Sequence, residues 1–315
     1  MEFDLIATIR ARAATRGDVL LGIGDDAALL RVPPGAALAV TMDTLNAGVH
    51  FPDDTAPEDI GWKALAVNLS DLAAMAATPA WCTLSLSLPQ ADAAWLDRFL
   101  DGFLALAALH DVALVGGDTT RGPLSITVTA HGVVVAEHAL RRDGARVGDD
   151  VWVTGTLGDA AASLAQWRTQ TTRDAALRLR LDRPTPRIAA GLALAGVAHA
   201  CIDVSDGLLA DLGHVCAASG VGAEIAVDAL PASDALCAAF DRDTRRTFQA
   251  SGGDDYELCF TAPAGSRDHI LVRLGAVDVA ASRIGRIVEG DTLSVFDESR
   301  KPWISPASGY AHFRD

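Results

Sequence analysis

The sequence predicts an α/β protein made of two domains, each containing both helices and strands. Its 315 residues are enough for two hydrophobic cores of ordinary size. Half of the residues are hydrophobic and no tract is of low complexity, which indicates an ordered globular chain. Helical and strand patterns alternate in both halves without a regular β-α-β rhythm and without a short repeat.

The first half alternates strand and helix signals up to about residue 135. Hydrophobic periodicity and turn residues define each segment. The predicted segments are a strand at 36–42 ending at Asp43, a helix opened by a Thr55–Glu58 capping box and running to 77, a helix over 93–109, and strands at 112–118 and 124–135.

A polar, turn-rich segment at 137–150, EHALRRDGARVGDD, predicts the boundary between a domain at 1–137 and a domain at 149–315. The second domain shows the same mixture of elements as the first. The predicted segments are a strand at 151–155, a helix at 158–167, a helix capped by Thr185 with Pro186 at its first position, a strand–loop–helix over 199–219, and strands within 255–264 and 283–296.

The composition argues against several classes of function. Asp and Glu number 41 against 26 Lys and Arg, a net charge of −15, which disfavours binding to nucleic acid or to an anionic membrane. Lys63 and Lys301 are the chain's only lysines and neither stands in a P-loop motif. There is no signal-peptide core, no apolar run of about 20 residues, and no C-x-x-C pair among five dispersed cysteines. We therefore expect a cytoplasmic protein with reduced thiols.

Aspartates recur where apolar segments meet Gly, Ser or Thr. Such junctions let a ligand approach the backbone closely, and strand ends are common places for sites. The motifs are GIGDDAAL with Asp25 and Asp26, VTMDTL with Asp43, NLSDLAAM with Asp71, VGGDTTRG with Asp118, IDVSDGLL with Asp203 and Asp206, and SGGDDYEL with Asp254 and Asp255. Singly, each has a structural alternative, such as a helix N-cap at Asp206 or a turn at Asp25. Asp71 differs because it interrupts an apolar helical stripe.

Carboxylates that converge in one cleft repel one another and raise each other's pKa unless cations offset their charge. The motifs offer oxygen donors and almost no His or Cys, which favours Mg²⁺ over zinc. Several Mg²⁺ ions bridging these carboxylates to a triphosphate would take the place of the missing lysines. The residues therefore predict a magnesium-dependent site for the phosphate tail of a nucleotide.

In their order along the chain, these motifs resemble the bacterial thiamine-monophosphate kinase family. The resemblance runs nearly from end to end and also includes TMDTLNAGVHF, VWVTGTLGDAA, RPTPR and the terminal GYAHF. It implies an aminoimidazole ribonucleotide synthetase-like fold, in which N-terminal domains pair into a β-barrel in a homodimer and a C-terminal domain completes the active site. It also implies that ATP phosphorylates thiamine monophosphate to thiamine diphosphate.

The resemblance implies roles for individual residues. The metal ligands that it implies are Asp26, Thr41, Met42 (through its backbone carbonyl), Asp43, Asp71, Asp118, Asp203 and Asp206. The implied ATP contacts are Gly117, Asp118, Arg142 and Ser205, and the implied contacts to thiamine monophosphate are His50, Asp254 and Tyr310. Catalysis is expected to depend on Asp71, Asp118 and Asp206. Asp254 stands where the family usually has Glu.

The chemistry expected is direct in-line phosphoryl transfer, because a deprotonated phosphate monoester is already nucleophilic and no Ser-His-Asp or Cys-His signature is present. One alternative is another ATP-dependent synthetase or dikinase of the same fold. The motifs TMDTLNAGVHF and GGDDYELCF disfavour a purine-pathway synthetase, and the late positions of the first Lys and Cys disfavour a selenide dikinase. The other alternative is a non-catalytic regulator that binds nucleotide or divalent ions, which six intact acidic motifs disfavour.

Overall fold

The computed structural model describes residues 2–171, 173–307 and 309–310. The chain divides into two compact units. Unit 1 comprises the described part of Met1–Leu72 together with Ala77–Glu137, and unit 2 comprises Ala73–Ala76 together with the described part of His138–Asp315. Both units contain helices and strands, so the predicted α/β class with mixed sheets is confirmed.

The first half of the chain contains all five segments predicted there, together with four elements that were not predicted. Its elements are α1 (Glu2–Arg12), β1 (Val19–Leu21), β2 (Leu29–Leu30), β3 (Ala37–Asn46), α2 (Pro57–Ala74), β4 (Thr78–Leu88), α3 (Ala93–Leu109), β5 (Ala113–Arg121) and β6 (Ser125–Val134). The four that were not predicted are α1, β1, β2 and β4. Helix α3 has the predicted bounds, and Asp92 caps it by accepting the N–H of Trp95 at 3.0 Å. Helix α2 begins at Pro57, because proline suits the first helical position, where no N–H is needed. Strand β3 continues past Asp43 because its pairing with β6 continues.

Unit 1 is built on a four-stranded sheet in the order β3-β6-β4-β5, in which β4 and β5 are parallel and the other pairs are antiparallel. Alternate residues of β6 are buried, as expected for a sheet with one covered face. Helices α2 and α3 pack backbone to backbone, because a Cβ at Gly61 would lie 2.0 Å from the carbonyl oxygen of Phe99 and one at Gly102 would lie 1.7 Å from that of Glu58. The two short strands β1 and β2 pair with each other.

The second half of the chain forms a six-stranded sheet. Its elements are β7 (Asp149–Thr154), α4 (Asp159–Thr169), α5 (Ala175–Asp182), α6 (Ile188–Leu194), β8 (Ala200–Asp203), α7 (Leu208–Ser219), β9 (Gly222–Ala226), α8 (Asp234–Ala239), α9 (Arg242–Ser251), β10 (Leu258–Pro263), α10 (Arg267–Gly275), β11 (Ala281–Val288) and β12 (Leu293–Phe296). The strand order is β12-β9-β11-β7-β10-β8, with β12 and β9 parallel. Its core includes Val151, Ile202, Leu212 and Cys259.

The predicted start of α6 is wrong. The helix begins at Ile188, so Thr185 and Pro186 precede it, and Arg187 occupies the N-cap position without capping through its side chain. The physical reason is that the Arg187 guanidinium bonds the buried Glu257 instead, with Nε 2.6 Å from Oε2 and Nη2 2.6 Å from Oε1.

In the described part of the chain, no helix is long and apolar enough to cross a membrane. All five cysteines are free thiols, and four of them are buried.

Candidate active site

Strand β3 and helix α2 bring the first predicted ligands together. Thr41 and Asp43 are two residues apart on β3 and therefore share one face of the sheet. The Thr41 hydroxyl donates a hydrogen bond to Asp71 Oδ2, and the N–H of Asp43 donates to Asn68 Oδ1 at 3.1 Å. Because α2 extends to Ala74, Asp71 lies inside the helix, as the apolar stripe indicates.

Met42 lies between these two residues and faces the other side of the sheet, where 64% of it is exposed. A thioether is a soft ligand that Mg²⁺ does not favour, so only the backbone carbonyl of Met42 remains as its predicted donor. The side chain of Met42 is therefore not part of the group formed by Thr41 and Asp71.

The GIGDDAAL segment forms an exposed turn before β2. The carboxylate of Asp25 forms a hydrogen bond within that turn, in which its Oδ1 accepts the N–H of Asp26 at 2.9 Å. Gly24 has a φ of +121°, and a Cβ there would lie 2.6 Å from Nη1 of Arg10. The guanidinium of Arg10 thus lies against this acidic turn, a neighbour that the sequence pattern does not reveal.

Asp118 lies in β5 at the opposite edge of the sheet from Asp43. The register runs from Asp43 through Val128 and Leu84 to Gly117, so the two aspartates are three strand spacings apart, about 14 Å along the sheet. Over residues 2–171, 173–307 and 309–310, no three His, Cys, Asp or Glu side chains form a group that could hold a metal ion.

Gly117, the residue before Asp118, has an unusual backbone conformation. Its φ is +148°, and a Cβ at this position would lie 1.8 Å from the carbonyl oxygen of Leu84. The Asp118 carboxylate accepts the N–H of Thr119 at 2.9 Å and is exposed. Only glycine fits here, and its bare backbone allows a ligand to approach closely.

His50 follows β3 and has a defined tautomer. Its Nδ1 accepts the N–H of Asn46 at 2.9 Å, so a neutral ring carries its proton on Nε2 and can donate from that atom. Lys63, a buried residue of α2, donates from Nζ to the carbonyl oxygen of His50 at 3.0 Å. Lys63 therefore helps to fix the backbone of His50, a role that the sequence pattern does not predict.

In unit 2, Asp203 ends β8 and the loop 204–207 leads into α7. Asp203 is buried, whereas Ser205 and Asp206 are partly exposed. The N-cap residue of α7 is Gly207, with φ +118°. Asp206 is therefore not the N-cap residue. The structural alternative stated for it, a helix N-cap, is wrong.

Two further predicted residues meet this loop through their backbones. The N–H of Asp254 donates to the carbonyl oxygen of Ser205 at 2.9 Å, and the N–H of Tyr310 donates to that of Asp206 at 2.9 Å. Asp254 Oδ1 also accepts the hydroxyl of Tyr256 at 2.9 Å. Ser205, Asp206, Asp254 and Tyr310 are thus brought together, although 311–313 of the GYAHF motif lie outside the described residues.

Arg142 is not part of this group. It is an exposed loop residue whose carbonyl oxygen accepts the hydroxyl of Ser219 at 3.0 Å, at the C-terminal end of α7. Helix α7 has 12 residues, which places its two ends about 18 Å apart. Ser205 and Arg142 therefore lie at opposite ends of that helix.

Two buried acids hold loop backbones in unit 2: Asp211, which the sequence pattern misses, and Asp255 of the SGGDDYEL motif, whose structural role it does not predict. Asp211 accepts three backbone N–H groups of the loop 205–207 through one oxygen, and burial together with the Asp206 carboxylate raises its pKa to about 7. Asp255 accepts the N–H of Gly158 at 2.9 and 3.0 Å, and burial raises its pKa well above the ordinary value. Asp211 follows Leu208 and precedes Leu212, both buried, so its position on an apolar helix face is the signal that could have identified it.

The two halves of the chain match two family models. Residues 24–134 match the AIR synthase related protein, N-terminal domain, and residues 146–298 match the AIR synthase related protein, C-terminal domain. The thiamine-monophosphate kinase of Salmonella typhimurium is 48% identical over 318 residues, which cover 99% of this chain and 98% of that protein. This chain belongs to the thiamine-monophosphate kinase family. The family member from Haemophilus influenzae is 44% identical and covers 100% of this chain and 98% of its own length.

Solved structures of the thiamine-monophosphate kinase family have the same fold. The crystal structure of thiamine-monophosphate kinase from Stenotrophomonas maltophilia K279a is 57% identical, with a TM-score of 0.88 over 93% of this chain and 96% of that chain. AaThiL complexed with AMPPCP and TMP is 32% identical, with a TM-score of 0.78 over 99% of this chain and 97% of that chain. The two-domain synthetase-like fold that the motifs imply is therefore confirmed.

Proposed function

We propose that this protein transfers the γ-phosphate of ATP to thiamine monophosphate, giving ADP and thiamine diphosphate. The observation that carries the proposal is the complex of AaThiL with AMPPCP and TMP, because this chain aligns with that relative over 99% of its length. AMPPCP resembles ATP except for a methylene group between its last two phosphorus atoms. The pair of ligands is therefore what an ATP-dependent kinase acting on thiamine monophosphate would bind.

The donor set of the acidic motifs fits Mg²⁺. Its members are carboxylates and one hydroxyl, and Mg²⁺ is commonly held by one or two protein carboxylates together with water and substrate phosphates. The residues that would hold several such ions are Asp26, Thr41, Asp43, Asp71, Asp118, Asp203 and Asp206, to which the backbone carbonyl of Met42 adds one donor. When bound, Mg²⁺ offsets the charge of the triphosphate and the charge that develops during in-line transfer.

Within this set, Asp71, Asp118 and Asp206 are the proposed catalytic residues. The Thr41 hydroxyl holds the Asp71 carboxylate on α2, and the N–H of Thr119 holds that of Asp118. These two hydrogen bonds orient the carboxylates of Asp71 and Asp118 before a ligand arrives, which lowers the cost of ordering the site. The backbone of Gly117 and the hydroxyl of Ser205 are further groups that we propose for ATP. The guanidinium of Arg142 is also proposed, and it would contact a part of the nucleotide remote from Ser205, because the two residues lie at opposite ends of α7.

The proposed contacts to thiamine monophosphate suit its chemistry. The Nε2–H of His50 can donate to a phosphate oxygen, because its Nδ1 already accepts a backbone N–H. The carboxylate of Asp254 suits the cationic thiazolium ring, and the exposed ring of Tyr310 offers a surface for stacking. Both residues contact the loop 205–207 through backbone hydrogen bonds.

We further propose that the protein is a cytoplasmic homodimer with domains at 1–137 and 149–315. Leu38, Val40 and Met42 project from one face of β3 and are exposed, an arrangement that favours a partner on this side of the sheet. If two unit 1 sheets close into one barrel whose two-fold axis runs along the barrel, the β3 edge of one protomer would lie beside the β5 edge of its partner. Asp43 and Asp71 of one protomer would then share a site with Asp118 of the other.

Product analysis tests the proposed reaction. With ATP, thiamine monophosphate and Mg²⁺, we expect ADP and thiamine diphosphate to form in equal amounts. ADP that forms only with a purine intermediate would identify a synthetase instead, and nucleotide binding without turnover would identify a regulator. ADP without thiamine diphosphate would contradict the proposed acceptor.

A further inference from the structure

Asp211 is a buried carboxylate that none of the proposed chemical steps uses. It lies one turn inside α7 and is 3% exposed. Its Oδ2 accepts the backbone N–H groups of Ser205 at 3.0 Å, Asp206 at 3.1 Å and Gly207 at 3.1 Å. A single carboxylate oxygen therefore organises three consecutive peptide groups of the loop that enters α7.

Two of these peptide groups also hold the neighbouring segments. The peptide that gives the Asp206 N–H to Asp211 uses its other end, the Ser205 carbonyl oxygen, to accept the N–H of Asp254 at 2.9 Å. The peptide that gives the Gly207 N–H to Asp211 uses the Asp206 carbonyl oxygen to accept the N–H of Tyr310 at 2.9 Å. In a planar trans peptide the N–H and C=O point in opposite directions, so each peptide lies on a line of hydrogen bonds that begins at Asp211.

The loop 205–207 and the segments that carry Asp254 and Tyr310 are closely packed. A Cβ at Gly253 would lie 2.6 Å from the carbonyl oxygen of Ser205, and one at Gly309 would lie 2.7 Å from that of Asp206. Backbone therefore touches backbone beside both hydrogen bonds. Rotation of either loop peptide would displace the segment that carries Asp254 or the one that carries Tyr310.

We propose that Asp211 is a positioning residue that fixes Asp254 and Tyr310 through the two peptides between Ser205 and Gly207. It contacts neither substrate nor metal. A residue that served only to stabilise α7 would change the free energy of unfolding without a selective effect on those two amides.

Amide hydrogen exchange on the intact, ligand-free protein tests the positioning role independently of any activity. In Asp211→Ala we expect the amides of Asp254 and Tyr310 to exchange about tenfold faster or more, because loss of the shared acceptor frees both peptides. Asp211→Asn keeps one oxygen in place and should show a smaller increase, which guards against an Ala variant that fails to fold.

The matched control is Asp241→Ala. Asp241 also accepts two backbone N–H groups, those of Asp243 and Thr244, but it does so at the exposed start of α9. It should lower stability without accelerating exchange at Asp254 and Tyr310. Equal acceleration in the Asp211 variants and in this control, or none in the Asp211 variants, would overturn the proposal.

The kinetic consequence rests on the proposed function. We expect Asp211→Ala to lower kcat/KM for thiamine monophosphate about tenfold, and to lower it less when Asp254 is already Ala, because part of the effect of Asp211 passes through Asp254. Full additivity of the two changes would overturn the assignment. Faster exchange with unchanged kcat/KM would uphold the role of Asp211 in the backbone and would contradict the substrate contacts proposed for Asp254 and Tyr310.

Discussion

Asp71 shows how far a single residue could be predicted. Its place on an apolar helical stripe marks it in the sequence, and the structure adds the Thr41 hydroxyl that orients its carboxylate. Lys63 and Asp211 were not predicted, because their roles depend on backbone groups that only folding brings to them. Sequence patterns identify residues that break a local rule, whereas buried polar partners are determined by tertiary contacts.

Asp71→Asn should reduce kcat about 100-fold or more while the fold is retained. Asparagine keeps an oxygen that can accept the Thr41 hydroxyl, but it loses the charge that attracts a divalent ion. Steady-state kinetics at saturating ATP and thiamine monophosphate, together with a thermal unfolding scan, measure both effects.

The control for this change is Asp97→Asn on α3, where the side chain is 59% exposed and pairs with Arg12. The control should keep wild-type kinetics. Wild-type kinetics in Asp71→Asn at limiting Mg²⁺ would show that Asp71 is not a metal ligand.

Among the elements, those with a strong local signal were predicted best. Helix α3 was correct at both ends because an Asp cap and a long apolar stripe define it. The start of α6 was missed because Arg187 pairs with Glu257, a residue 70 positions away in the chain. The separation of Asp43 from Asp118 could not be read from spacing, since it depends on the order of strands in the sheet.

Gly117→Ala should disrupt the pairing of β4 with β5. The new Cβ would lie 1.8 Å from the carbonyl oxygen of Leu84, and φ of +148° is unfavourable for alanine. We expect a loss of about 1–3 kcal/mol in the free energy of unfolding, measured by urea denaturation.

Gly116→Ala is the matched control for this change, because the new Cβ would lie 3.8 Å from its nearest neighbour, a methyl group of Thr83. The control should change stability by less than about 0.5 kcal/mol. Equal losses in the two variants would show that the backbone at Gly117 is not specially constrained.

For the whole molecule, the pH dependence of the free energy of unfolding should be determined by paired carboxylates such as Asp150 in β7. Arg267 bonds both of its oxygens, at 2.5 and 2.8 Å, and with Arg283 it lowers the pKa of Asp150 below the ordinary value of 3.8. A lowered pKa in the folded state stabilises the protein above the unfolded pKa, and that contribution is lost as the pH falls below about 4.

Asp150→Asn should therefore reduce the free energy of unfolding by about 1–3 kcal/mol at pH 7, and the difference from wild type should shrink below about pH 4. Urea midpoints measured across this range test the prediction. Asp243→Asn, which changes an exposed partner of Arg246, should have little effect at pH 7. If the difference in the free energy of unfolding between wild type and Asp150→Asn grew as the pH fell, the pKa of Asp150 would not be lowered by folding.

The proposed shared site predicts complementation between two inactive variants. If Asp71 and Asp118 of a site come from different protomers, a mixed dimer of Asp71→Asn and Asp118→Asn contains one intact site. Random mixing after refolding together should then restore about a quarter of wild-type activity, since half of the dimers are mixed and each has one of two sites. Absence of recovery in dimers shown to be mixed would place both residues in the same protomer's site.

We propose that the acidic side chains hold the phosphate tail of ATP only through hard divalent ions. Equilibrium binding of AMPPCP to the wild-type protein and to Asp71→Asn, with Mg²⁺ and with a chelator, tests it directly. We expect tight binding only for wild type with Mg²⁺, and a loss of about tenfold or more in the variant. Equal affinity with the chelator present would contradict it.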